Sequence, residues 1–356
     1  MNRSDSDPQP LEYSRRIRWH MGLAALRSAT FTAFLILCWF GIARGQDWTL
    51  PWYYHSIAMA CLSALGFSLY RYLNRKMFRR MRVLKQEFPV RLKHMLTQHV
   101  IYYNFLPTEK QRKFEQRVMV FLDEKKMEWV GQPADELTAL LIAAGAVIPS
   151  LGLPDWDYQN AGTIFIYPEA FDSEYRYGKG APISGQVTNS HLFHAVAFSK
   201  AHVLESFLGP NVGRNVAVHE FVHLIDRTDG ATDGEPDLYW KAEDRKRWNE
   251  IRMQEHNRIA QGRTLIDRYA LSNPVEFLAV MSEYFFSMPD LLYYEHREVY
   301  DLLVKAFQQD PQQLLERAPQ VQRYKEMALA RDQFLAAQGS QSAQSANPDI
   351  NWNITS

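Results

Sequence analysis

Residues 216–226 read VAVHEFVHLID, and this stretch decides what the chain is. Its apolar residues, Val216, Val218, Phe221, Val222, Leu224 and Ile225, follow a helical period and predict a buried helix. Set among them is H-E-x-x-H, formed by His219, Glu220 and His223. Positions four apart lie on one face of an α-helix, so the two imidazoles can converge on one ion. Glu220 is angled beside that ion, where its carboxylate can take a proton from water. Burying two imidazoles and a carboxylate without a metal or partners is costly, so the pattern predicts a metal site. Two imidazoles and a carboxylate at an open tetrahedral position favour Zn2+.

A catalytic zinc needs a third protein ligand, and the sequence offers two. Asp229 lies six residues after His223, but Asp226 stands where the extended form of that motif uses a turning glycine. Glu276 lies in SNPVEFLAVMSEYFF, residues 272–286, where Asn273 suits a helix cap and Pro274 the first helical position. Glu276 would then face the core from the first turn, either as a ligand or as a capping-box partner of Asn273. Glu283, one face-repeat deeper, needs a partner, and the free N–H of a ligating imidazole would serve.

Around these segments the chain reads as an α+β body, mostly helical with a small sheet. Helices are expected over 108–130 and 135–147, then over 237–261 and 274–288, with the metal helix between the two pairs. TIFIY, residues 163–167, reads as a strand and AVAFS, residues 195–199, as a weaker one, with a glycine-interrupted loop over 177–185 between them. His191 and His194 read as loop polar groups rather than extra ligands. No solenoid-length repeat and no glycine-rich phosphate loop is present.

The N-terminal part is different. SATFTAFLILCWFGIA, residues 28–43, carries no charge, and with residues 22–26 it reaches roughly the 20 residues of a bilayer span. Arg27 can snorkel to the headgroups. A second run, residues 51–70, contains no Asp, Glu, Lys or Arg and opens with Trp52, Tyr53 and Tyr54, which suit the membrane interface. Arg15, Arg16 and Arg18 precede this hairpin, and Arg71, Arg75, Lys76, Arg79, Arg80, Arg82 and Lys85 follow it. The positive-inside rule then places both ends in the cytoplasm. Beside a span, the basic run serves topology and contact with anionic lipid. The expected organisation is a cytoplasmic tail over 1–20, a transmembrane hairpin over 21–71 and a juxtamembrane helical connector over 72–105. The globular domain with the metal motif follows over 106–336, then a disordered tail over 337–356 rich in Ser, Gln, Asn and Ala.

Composition closes off other classes. Lys plus Arg and Asp plus Glu each total 40, so no global basic field indicates a nucleic-acid partner. Two cysteines, Cys38 and Cys61, cannot build a disulfide framework, and both lie in apolar runs.

Beyond the motif itself, these segments resemble the Mlc titration factor A family of bacterial zinc-dependent peptidases, whose fold is zincin-like. The likeness runs roughly from 106 to 311. It takes in Leu106-Pro107, LIAA at 141–144, IFIYPEAF at 164–171, HEFVHLID at 219–226, Asp267-x-Tyr269-Ala270 and residues 273–286. The resemblance implies that His219, His223 and Glu276 hold the zinc, that Glu220 is the general base and that Tyr269 stabilises the oxyanion. It also implies that Asp226 supports the site or fixes the helix end. The expected function is a zinc metallopeptidase anchored in the cell inner membrane by two spans, acting on peptide or protein substrates in the cytoplasm. The alternative is a membrane-tethered regulator that sequesters a protein partner, because the founding family member binds the Mlc glucose repressor. Two departures stand out. The family's soluble members have no counterpart to the hairpin, and their Ser-Gly-Glu-Ala-Trp-like stretch is here SGQVT, residues 184–188. That stretch and the 195–199 strand are expected to form the edge along which a peptide lies.

Overall fold

The computed structural model describes residues 12–45, 51–154, 156, 158, 161–172, 175–178, 183–187, 195–209, 213–236 and 240–317. The disordered tail expected over 337–356, His191 and His194 lie outside these residues. The chain divides into two compact units, Met1–Glu87 and Phe88–Ser356.

In the first unit, α1 (Glu12–Gly45) and α2 (Trp52–Leu73) pair as a hairpin, and α3 (Arg75–Leu84) follows the break at Asn74. Helix α1 starts earlier than its apolar run: no proline or glycine stands between Glu12 and Gly22, so nothing stops the helix there. Gly22–Arg44 and Trp52–Leu73 are each long and apolar enough to cross a membrane. Large side chains such as Phe34, Leu37, Ile57 and Phe67 point outward. Gly66 lets the two helices approach: Ser28 Oγ donates to its carbonyl at 2.6 Å, and Thr32 occupies the space a Cβ there would need. Nearer the turn, Trp39 Nε1 donates to His55 Nδ1 at 3.3 Å.

The second unit begins with α4 (Val90–His99) and α5 (Ile101–Phe105), and Leu96, Tyr103 and the Val100 between the two helices belong to the main core. The segment expected as a connector over 72–105 is thus split, with α3 in the first unit and α4 and α5 in the body. Helix α6 (Thr108–Glu124) ends six residues before its expected limit, because β1 (Met127–Trp129) takes over. That three-residue strand is fixed by a distant partner: Met127, Glu128 and Trp129 pair in parallel with Ile164, Phe165 and Ile166 of β2 (Ile164–Tyr167).

The sheet is small and mixed. Its order is β1-β2-β4-β3, with β4 (Val196–Ser199) parallel to β2 and β3 (Gly185–Val187) antiparallel to β4. The 195–199 segment, expected at the edge, is therefore interior, and among the described residues β3 forms that edge. Ile164, Ile166, Val196 and Phe198 turn one face into the main core, while Tyr167, Phe171, Ile183 and Ala197 make a small cluster of their own.

Helices cover the core face. Helix α7 (Glu136–Ser150) is started by Asp135, whose side chain caps Thr138, and is buried along most of its length. It crosses α9 (Val216–Asp226) so closely that a Cβ on Gly145 would lie 2.3 Å from the Ala217 Cβ. Helix α8 (Lys200–Leu208) leads from the sheet toward α9, and α10 (Ala242–Ala260) starts later than its sequence suggests. Helix α11 (Pro274–Ser287) packs along α9, and α12 (Pro289–Glu295), α13 (Arg297–Phe307) and α14 (Pro311–Arg317) close the body. The whole is mostly helical with a small mixed sheet.

Candidate active site

Two capped helices build the site. Asn215 Oδ1 accepts the Val218 N–H at 3.0 Å and starts α9, every residue of which is buried. Asn273 Oδ1 accepts the Glu276 N–H at 2.9 Å and, with Pro274 at the first position, starts α11. The Glu276 carboxylate reaches across to α9: Oε2 lies 2.9 Å from His219 Nε2 and 3.7 Å from His223 Nε2. Asp229 closes a short 3-10 turn after α9, and its side chain lies outside the described residues.

Glu283, two turns along α11 from Glu276, holds the other side of the first imidazole. Its Oε1 is 2.7 Å from His219 Nδ1, and its Oε2 accepts the Asn215 N–H at 2.5 Å. One carboxylate thus fixes both the ring and the start of the helix that carries it. An Nδ1–H donated to Glu283 leaves the Nε2 lone pair for an ion.

Glu220 is held from the sheet. The Val187 N–H of β3 bonds its carboxylate, while its Oε2 is buried without a hydrogen-bond partner among the described residues. This approach requires Gly185, since a Cβ there would lie 2.7 Å from Glu220 Oε1 and from Val216 Cγ2. Tyr269 sits on the 3-10 turn Arg268–Leu271, its ring centroid 6.1 Å from that of His219 and its hydroxyl bonded to Glu276. Asp226 ties the end of α9 to the start of α11, because its Oδ2 accepts the Gly234 N–H at 2.9 Å and Gly234 lies against the Pro274 backbone. Gly234 has φ +79, a conformation glycine adopts freely.

The electrostatics follow from burial. Burial pushes the Glu220 carboxyl up to about 8 and lowers the His223 imidazole to about 4. Burial also works against charge on His219, but hydrogen bonds to Glu276 and Glu283 overcome it and raise this imidazole well above its usual range. The Glu276 carboxyl is lowered, because the two imidazoles and the Tyr269 hydroxyl outweigh its burial. Tyr269 is raised by burial and by the surrounding carboxylates. Without a metal the His219 imidazole therefore holds its proton between two acids, Glu276 and Glu283.

These residues fit a divalent ion. His219, His223 and Glu276 each offer one donor atom, all within 4.8 Å of one another. Bonds of about 2.0–2.1 Å to a tetrahedral zinc set donors roughly 3.3 Å apart, which the 2.9 and 3.7 Å separations bracket. Two buried atoms here, His223 Nδ1 and Glu276 Oε1, have no hydrogen-bond partner among the described residues. A cluster so buried and so incompletely satisfied is poorly explained as core packing.

Sequence reasoning named His219, Glu220, His223, Glu276, Tyr269, Asp226 and Glu283, and the fold brings all seven into one region. It missed Gly185 and the Val187 amide, which act through backbone, and the second bond of Glu283.

The sequence model of the glucose-regulated metallo-peptidase M90 family matches residues 74–308. Among curated proteins, an uncharacterized protein of Synechocystis sp. is 28% identical over 257 residues, covering 66% of this chain and 89% of its own length. Mlc titration factor A of Escherichia coli is 28% identical over 227 residues, covering 60% of this chain and 84% of its own. The protein of that name from Klebsiella pneumoniae is 30% identical over 222 residues, covering 58% and 82%. The match spans well over half of the chain and includes both α9 and α11, and on that ground the chain belongs to the M90 family of metallo-peptidases, among which it resembles the Mlc titration factors A.

Proposed function

We propose that the protein is a zinc-dependent peptidase with a zincin-like catalytic domain, anchored in the cell inner membrane by the α1–α2 hairpin with its catalytic domain facing the cytoplasm. The observation that carries this reading is the convergence of His219 Nε2, His223 Nε2 and a Glu276 oxygen beside Glu220. Those three side chains would hold the ion, and Glu283 would fix the His219 ring. When bound, zinc supplies a Lewis acid that acidifies water and polarises a carbonyl.

The protein's own groups do the rest. Glu220 accepts the proton of the attacking water at Oε2 and delivers it to the amine as the carbon–nitrogen bond breaks. The Val187 N–H keeps the carboxylate beside the histidines, and Gly185 gives β3 the room to do so. Tyr269 donates its hydroxyl to the oxyanion. Backbone groups on the outer edge of β3 offer an extended peptide a place to pair. Glu220→Gln is the direct test: turnover of a quenched-fluorescent peptide library should fall about 10²–10⁴-fold with zinc content unchanged. Wild-type turnover in that variant would remove the mechanism.

A second reading is favoured by the name of the relatives, Mlc titration factor A. The protein would then bind a regulatory protein partner, with hydrolysis secondary. Pull-down from cell extract with Glu220→Gln and with His223→Ala separates the two. Partner retention by both variants supports a binding function independent of the metal site.

A further inference from the structure

Tyr269 is carried on a turn of only four residues, Arg268–Leu271, so something outside that turn must hold it. Its immediate fastening is Asp267. Oδ1 of that residue accepts the Tyr269 N–H at 2.8 Å, and its carbonyl accepts the Ala270 N–H at 3.1 Å. The remaining oxygen, Oδ2, is ion-paired with Nη2 of Arg214. Arg214 immediately precedes Asn215, the residue that caps α9 and gives its N–H to Glu283. A continuous run of bonds therefore joins the Tyr269 turn, through Asp267 and Arg214, to the start of the helix bearing His219, Glu220 and His223.

We propose that the Arg214–Asp267 ion pair is a positioning latch, which holds the Tyr269 hydroxyl in register with the metal helix. The proposal rests on the reading of Tyr269 as the oxyanion donor and adds two residues that act only through it. Neither charge is needed to cap the turn: an asparagine at 267 still offers an oxygen to the Tyr269 N–H. The pair is also part-exposed, with side chains at 42% and 21%, so a role in holding the core together is the weaker explanation. What the pair adds is registry between a short turn and a rigid helix, and misplacing a catalytic donor slows chemistry out of proportion to any loss of stability.

The test uses the full chain, zinc-loaded, with Arg214→Gln, Asp267→Asn, Arg214→Lys and Tyr269→Phe, and with Arg214→Gln combined with each of the 267 and 269 changes. The first readout is amide hydrogen exchange. Arg214→Gln and Asp267→Asn should each speed exchange over residues 267–272 about tenfold and leave the α9 amides unchanged, while Arg214→Lys, which keeps the charge, should speed it less. The second is hydrolysis of the best-cleaved member of a quenched-fluorescent peptide library. Both single variants should lower kcat about tenfold with KM and zinc content unchanged. Arg214→Gln should add nothing in the Tyr269→Phe background, and the 214/267 double variant should match either single one. Unchanged exchange over 267–272 in Arg214→Gln overturns the latch, as does a full further loss of kcat when it is added to Tyr269→Phe. A Tyr269→Phe variant with wild-type kcat would instead refute the role of Tyr269, while the exchange result still decides whether the latch exists.

Discussion

The chain contains two kinds of apolar helix, and they hide their surfaces differently. Helices α7 and α9 bury nearly everything they carry, and on α9 that includes His219, Glu220, His223 and Asp226. Helices α1 and α2 are apolar over longer stretches, yet only 6% of each spanning window is buried. Hydrophobicity alone says that a segment leaves water. Length separates the two kinds: α7 has 15 residues and fits inside a domain, while α2 has 22 and is long enough to cross a bilayer. Charges obey the same division. In the body several are buried where groups from another element meet them, as Glu276 and Glu283 meet His219 and the Val187 N–H of β3 meets Glu220. In the hairpin the spanning runs carry almost none, and the basic residues gather beyond their ends.

The most drastic way to break this comparison is to delete residues 1–73. Membrane association should be lost outright, while the remaining chain stays folded, soluble without detergent and able to bind zinc. Carbonate extraction of membranes and circular dichroism of the purified fragment check the two halves. Persistent membrane attachment would show that the apolar hairpin is not the anchor.

Two glycines sharpen it further. Gly145→Ala places a methyl 2.3 Å from the Ala217 Cβ, and neither methyl can turn away, so α7 and α9 must separate at a cost of about 1–3 kcal/mol. Gly66→Ala meets only the Thr32 side chain, which can rotate and surrender its bond to the Ser28 carbonyl, at about 0.5–1.5 kcal/mol. Thermal unfolding should therefore shift clearly for the first variant and little for the second.

A finer effect comes from the buried acid. In the metal-free protein Glu220 titrates at about 8, against an ordinary value of 4.5. A group raised in the folded state contributes its stability below its unfolded value and loses it as pH rises through the folded one. Metal-free protein should thus lose stability between about pH 5 and 8 through this residue, and Glu220→Gln should flatten that slope. Urea unfolding of both proteins at several pH values measures it. An identical slope in the variant would place the titration elsewhere.

Much of the site was legible because it is local. The metal helix announces itself by period and motif within 11 residues, and α11 by Asn273, Pro274 and the acids that follow. What escaped is non-local. Strand β1 has three residues, Met-Glu-Trp, too few for their alternation to stand out from the preceding helix, and its pairing with β2 fixes it as extended. Strand β3 likewise exists through β4, which is why 195–199 was expected at an edge it does not occupy. Gly185 and Val187 act on Glu220 through backbone proximity, which leaves no signature in side-chain type. Arg214 and Asp267 lie 53 positions apart, so although Asp267 belongs to the Asp267-x-Tyr269-Ala270 segment, nothing local announces its pairing with Arg214.

The metal site stands or falls with Glu276 as its third ligand. The most direct measurement is zinc content of purified wild-type protein and of Glu276→Ala, by elemental analysis after dialysis against a weak chelator. One zinc per chain is expected in the wild type and little or none in the variant. Full zinc occupancy in Glu276→Ala, or none in the wild type under zinc-replete conditions, would contradict it.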